Sequence, residues 1–169
     1  MEKISSLLGL PVLEIETGRQ IGEVYEVVVD IEQAAVCGII LKAANWFAQE
    51  QGIEFRNLHS IGRDAVMVRN SALIQELSTF VSSRSYHLRE LIDKQIFTEA
   101  GLQLGTLVDI RFNAVTGEIS DYQVSDSVVG DLLSGRLAMP LPPVQIVGEE
   151  KLIVPESMAK LLHTESDSI

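Results

Sequence analysis

Cysteine is almost missing from this chain: Cys37 is the only one among 169 residues. An internal disulfide is therefore excluded, as is a metal site built on clustered cysteines. A lone thiol fits a reducing compartment better than an oxidising one. Aromatic residues are scarce at 5%, and Trp46 is the single tryptophan. Basic residues are outnumbered, 13 against 24 acidic ones, for a net charge of −11. The first 84 residues carry 7 basic and 11 acidic side chains, the remainder 6 and 13, and no block of Lys or Arg stands out. Such a field repels phosphate backbones and anionic lipid, so direct nucleic-acid binding is disfavoured. It either steers a basic partner protein toward the chain or only maintains solubility. No apolar run approaches the roughly 18 to 20 residues of a membrane span. Met1-Glu2-Lys3-Ile4-Ser5-Ser6 carries no signal-peptide pattern. The expectation is a soluble, cytoplasmic protein with no membrane span.

What the chain does have is a repeat. Glu16-Thr17-Gly18-x-Gln20-Ile21-Gly22-x-Val24-x-Glu26-Val27 returns as Glu99-Ala100-Gly101-x-Gln103-Leu104-Gly105-x-Leu107-x-Asp109-Ile110. Such self-similarity is the first thing to read, because it sets the architecture. Gly18, Gly22, Gly101 and Gly105 are expected as structural turn residues. Gly18 and Gly101 supply positive φ in a tight turn; Gly22 and Gly105 mark a bulge, a bend or a close backbone approach. Further on, Ile61-Gly62-Arg63-Asp64-Ala65-Val66 matches Val147-Gly148-Glu149-Glu150-Lys151-Leu152, each a hairpin turning on its glycine. The apolar spacing of Leu73, Ile74, Leu77 and Phe80 predicts a helix over 71–81 with Ser71 as N-cap. Met158, Leu161 and Leu162 predict a second over 156–163.

Many short strands with turns every 8 to 12 residues indicate a small barrel or sandwich, and closing each half would remove exposed edges. The expected division is 1–81 for the first repeat with its trailing helix, 86–163 for the second, and a flexible tail over 164–169.

The repeated pattern resembles the PRC-barrel family, in two copies, and the segment Asp131-Leu132-Leu133-Ser134-Gly135-Arg136 resembles small bacterial tandem PRC-barrel proteins of the YrrD-like type. The fold the resemblance implies is mainly β: two tandem small PRC-type β-barrels, each followed by a short helix. The function it implies is a non-catalytic interaction module that docks on a partner protein, in RNA processing or in a membrane-associated complex. A small-ligand sensor and a structural homo-oligomer are the alternatives.

Chemistry-bearing residues are few. His59, His87 and His163 lack ligand spacing. Cys37 lies in an apolar strand, as a structural thiol does. Gly18 to Gly22 is followed by a strand where a phosphate loop needs a helix. Asp30, Asp64, Asp109 and Asp121 read as solvated acids at turns and strands. No catalytic residue, cofactor or metal ligand is therefore expected. Three features stand above this background. Trp46 and Phe47, in a loop without a counterpart sequence in the second repeat, either form a partner-binding pair or fold back over a barrel mouth. Arg136 either pairs with an acid on the other barrel or contacts a ligand or partner. Met139-Pro140-Leu141-Pro142-Pro143 is either a rigid lead-in to a strand or a polyproline ligand.

Overall fold

The computed structural model describes residues 1–125 and 136–164. In the first repeat the strands are β1 (Glu2–Lys3), β2 (Pro11–Glu14), β3 (Gln20–Asp30), β4 (Ala35–Leu41), β5 (Gln51–Glu54), β6 (Ser60–Ile61), β7 (Val66–Val68) and β8 (Gln75–Glu76). In the second they are β9 (Ser85–His87), β10 (Gln95–Thr98), β11 (Gln103–Phe112), β12 (Ile119–Ser125), β13 (Leu137–Pro140), β14 (Ile146–Val147), β15 (Lys151–Val154) and β16 (His163–Thr164). The chain is mainly β, and its one α-helix among the described residues is the single turn α1 (Leu88–Leu91).

Each repeat builds a sheet, and the two sheets have the same strand order: β6-β7-β2-β3-β4-β5-β8 and β14-β15-β10-β11-β12-β13-β16. The shared glycines account for the shared geometry. Gly18 and Gly101 turn the chain between β2 and β3 and between β10 and β11, at φ 70° and 91°. The register then slips at the second glycine of each motif. Val12 faces Gly22 while Leu13 faces Gln20, and Ile96 faces Gly105 while Phe97 faces Gln103. These are β-bulges, as the glycine inside a strand pattern predicts. Gly105 has φ 144°, and a Cβ there would lie 2.3 Å from the Ser125 carbonyl oxygen. Only glycine fits that approach.

A second bulge explains why β3 breaks strict alternation. Val24 pairs with Leu41 but Glu26 pairs with Ile40, and likewise Leu107 pairs with Val124 but Asp109 with Gln123. The extra residue turns Tyr25 outward, half-exposed, and turns Glu26 inward to 4% exposure.

The two repeats exchange their leading strands. β1, at the start of the first repeat, pairs antiparallel with β11, and β9, at the start of the second, pairs antiparallel with β3. They also meet at their hairpin tips. Ala35 bridges Glu118, Val36 N–H donates to Gly117 O (2.9 Å) and Ile119 N–H donates to Ala34 O (2.8 Å). Each donor–acceptor pair is the image of the other under the repeat. One continuous apolar cluster results, with Val27, Val29, Ile39 and Ile53 from the first repeat packed with Leu107, Ile110, Phe112 and Tyr122 from the second. A domain of about 80 residues is marginal alone; sharing a core relieves both halves of that limit.

The structure corrects the two helices. Residues 71–81 form two 3-10 turns, Ser71–Leu73 and Leu77–Thr79, on either side of β8. Asn70, not Ser71, is the cap, its side chain accepting from Ala72 N–H. The segment lies flat because Gln75 pairs with Gly52 and the Phe80 ring packs over Gly38 and Gly52, where a Cβ would sit 2.8 Å from the ring at either position. The apolar spacing thus serves a sheet surface instead of a helix face. The second expected helix is a 3-10 turn over Glu156–Lys160, and the chain then enters β16. Thr164, expected in the tail, pairs with Leu137.

Candidate functional site

The loop from β4 to β5 is tied at both ends. Lys42 N–H donates to Glu23 O (2.9 Å), and Glu50 O accepts from Leu77 N–H (3.3 Å). At its tip the Asn45 side chain accepts from Phe47 N–H (3.0 Å), and Ala48 N–H donates to Asn45 O (3.2 Å). Asn favours such turns because its amide oxygen substitutes for a backbone acceptor. The turn projects Trp46 and Phe47 into solvent at 99% and 96% exposure. They do not fold back over the sheet, so the reading in which they close a barrel mouth is not met. Beside them lies an open depression of about 500 Å³ walled by Tyr25, Ile40, Leu41 and Glu50.

The corresponding loop of the second repeat joins β12 to β13 and holds Asp131 to Gly135, which lie outside the described residues. Arg136 is described: it is exposed and makes no ion pair with any described residue, so the expected structural pair is not found there. The proline stretch is divided. Met139 and Pro140 belong to β13, whereas Pro142 and Pro143 line a depression between the repeats with Ile31, Arg84 and Tyr86.

Arg136 lines a third depression, of about 440 Å³, where the exchanged segments meet: Lys3, Ser5, Leu8, Glu26, Leu88, Arg89, Ile92, Val108 and Asp109 form the rest of its wall. The sequence reading missed this junction. Asp109 is not a solvated acid. It is 4% exposed and accepts from Ser5 N–H (3.2 Å), from the Ser5 hydroxyl and from Ile110 N–H (2.9 Å). Its counterpart Glu26 accepts from Val27 N–H (2.9 Å) and faces the Arg89 guanidinium at 3.6 Å. Arg89 also donates to the Tyr25 hydroxyl (3.2 Å) and lies 5.5 Å from the Tyr25 ring centroid. Each buried acid is thus held by its own bulge and by the segment borrowed from the other repeat. Asp30 and Asp121 are corrected likewise. Asp30 is 7% exposed and accepts from Gln33 N–H, and Asp121 forms a bidentate pair with Arg111 at 2.6 and 2.8 Å. Asp64 is exposed beside Arg63, as expected.

Three ionisable groups outside these surfaces have shifted affinities for protons. The Glu14 carboxylate is lowered, first by the Thr17 hydroxyl (2.5 Å) and then by Ser71 N–H (2.5 Å). Burial raises the Tyr122 phenol, whose hydroxyl donates to Gln145 (2.9 Å). Burial also raises the Cys37 thiol, 3.9 Å from the Ser85 hydroxyl. No three His, Cys, Asp or Glu side chains among the described residues gather as metal ligands do. No helix among them is long and apolar enough to cross a membrane.

A family model for the PRC-barrel domain matches the chain twice, over residues 1–75 and 84–161. The chain therefore belongs to the PRC-barrel domain family, as a tandem of two copies. No curated protein matches it.

Proposed function

We propose that this tandem PRC-barrel chain is a non-catalytic, cytoplasmic docking module that engages a partner protein through the Trp46–Phe47 loop. One observation carries the reading: the only tryptophan in the chain and an adjacent phenylalanine stand almost fully in solvent on a loop anchored at both ends. Exposing two large aromatic rings gains nothing for folding, whereas Trp is among the residues that dominate binding energy at interfaces. Anchoring the loop lowers the ordering cost of association. Glu50 at the end of the loop and the net charge of −11 favour a partner with a basic face, whose Lys or Arg side chains stack on an exposed indole. The family resemblance suggests an RNA-processing assembly or a membrane-associated complex as the setting. In this reading the rest of the chain is scaffold, its sheets filled by Val, Ile and Leu.

The test is photo-crosslinking in cells with a benzophenone amino acid at position 47, alongside a Trp46→Ala, Phe47→Ala variant in affinity capture. A discrete crosslinked protein whose capture is lost in the variant supports the reading. Equal capture by the variant and the parent chain rules the loop out as the docking element.

A further inference from the structure

The junction depression is built on the axis that relates the repeats. Three of its residue pairs are equivalents: Leu8 and Ile92 follow the exchanged turns, Ser5 and Arg89 lie within them, and Glu26 and Asp109 are the acids of the two bulges. Duplication gave both sides of this cleft the same backbone, and the side chains then diverged. Ser5 satisfies Asp109 with a hydroxyl and a backbone N–H, whereas Arg89 reaches over Glu26 with a cation that remains half-exposed. Lys3 and Arg136 add two more cations at the rim, and neither side chain has a hydrogen-bond or ion-pair partner among the described residues. Three of the chain's 13 basic residues converge here on a protein of net charge −11. Both carboxylates below them are buried and already accept hydrogen bonds. Between the cations, Leu8, at 42% exposure, and the partly buried Ile92 and Val108 leave apolar surface open.

We infer that this cleft is a second binding site, for a short aliphatic polypeptide segment carrying a carboxylate. The aliphatic side chain lies on Leu8, Ile92 and Val108, and the carboxylate meets Lys3 and Arg136, with Arg89, already engaged by Glu26, Tyr25 and His87, adding positive charge behind them. Arg and Lys at an apolar floor match that chemistry, because a charge-assisted hydrogen bond gains strength where water is partly displaced. An open cleft of about 440 Å³ suits a few residues of extended chain. This site carries an excess of cations and does not depend on the Trp46–Phe47 loop.

The experiment is an amide NMR titration of the full chain with acetyl-Leu-Glu-Leu-Glu-Leu-amide. Matched peptides bearing Gln or Lys in place of Glu, and phosphatidylserine vesicles, serve as comparisons. The inference expects shifts centred on Leu8, Arg89, Ile92 and Val108, and at least about tenfold weaker binding of the Gln peptide, the loss of one charged contact. The Lys3→Gln, Arg136→Gln variant should weaken the Glu peptide similarly. Those two side chains have no hydrogen-bond or ion-pair partner among the described residues, whereas replacing Arg89 would strip Glu26 of its counter-charge. Equal affinity for the Glu and Gln peptides, tighter binding of the Lys peptide, shifts centred on Trp46, or binding to vesicles but not to the peptide would each overturn it. The last outcome would assign the cations to a lipid surface.

Discussion

Ala35 and Glu118 hold the same position in the two repeats, and they pair with each other. A contact between equivalent residues marks the axis on which a duplicated fold closes, as it does at a twofold dimer interface. On one side of it Ala34 adopts φ 51°, and on the other Gly117 adopts φ 79°. Left-handed geometry costs a residue with a Cβ about 1 to 2 kcal/mol. At Gly117 a Cβ would also meet the Phe55 ring at 2.8 Å.

Substitutions at these two equivalent positions should therefore have opposite effects. Gly117→Ala should destabilise by about 1 to 3 kcal/mol, combining backbone strain and ring displacement. Ala34→Gly should be neutral or stabilising by up to about 1 kcal/mol, since relief of strain outweighs added chain entropy. Urea denaturation of both variants measures this. A neutral Gly117→Ala would contradict the junction geometry.

Because Phe112 is fully buried in the cluster common to both repeats, Phe112→Ala should cost about 3 to 5 kcal/mol. It should lower the stability of both halves together. Far-ultraviolet circular dichroism and tyrosine fluorescence should report coincident transitions, as two-state unfolding requires.

Trp46→Ala and Phe47→Ala should each leave the urea midpoint within about 0.5 kcal/mol of the parent, because both side chains are almost fully exposed. A larger loss would mean that the rings support the fold and are not held in reserve for a partner.

Acid should weaken the fold partly through Glu14. Its carboxylate is lowered in the folded chain by Thr17 and Ser71, so it contributes stability above its unfolded value and loses that contribution as pH falls through the folded value. Glu14→Gln should flatten the stability profile on the acid side of that range while changing its slope little near neutrality. Urea midpoints across the acid range give the comparison.

Cys37 should alkylate slowly in the native state. Burial raises its thiol, so less reactive thiolate is present near neutral pH than for a free cysteine. The iodoacetamide rate should rise steeply with pH and jump on unfolding. A native rate equal to that of a model thiol would contradict the placement.

Much of the architecture could be read from local pattern. The doubled glycine motif located the turns at Gly18 and Gly101 and the bulges at Gly22 and Gly105, because glycine geometry is written into sequence. The hairpins at Gly62 and Gly148 were legible for the same reason, each closing on a backbone hydrogen bond of 2.9 Å. The helix over 71–81 was misread because Leu73, Ile74, Leu77 and Phe80 have a helical spacing, while their partners, Gly38, Gly52 and Glu50, lie far away in sequence. The strand exchange and the burial of Glu26 and Asp109 had no local signature at all. They depend on contacts such as Ser5 with Asp109, which are 104 residues apart. Whether Trp46 and Phe47 are exposed was open in the sequence, and the Asn45 turn is what holds both rings in solvent.

The two copies form one body by trading their leading strands across a shared core. Inserting a protease site in the exposed turn over 82–84 and cutting the folded protein is the decisive measurement. Both fragments should co-elute as one species of unchanged size in gel filtration and separate only in denaturant. Fragments that part company under native conditions, each still folded, would contradict it.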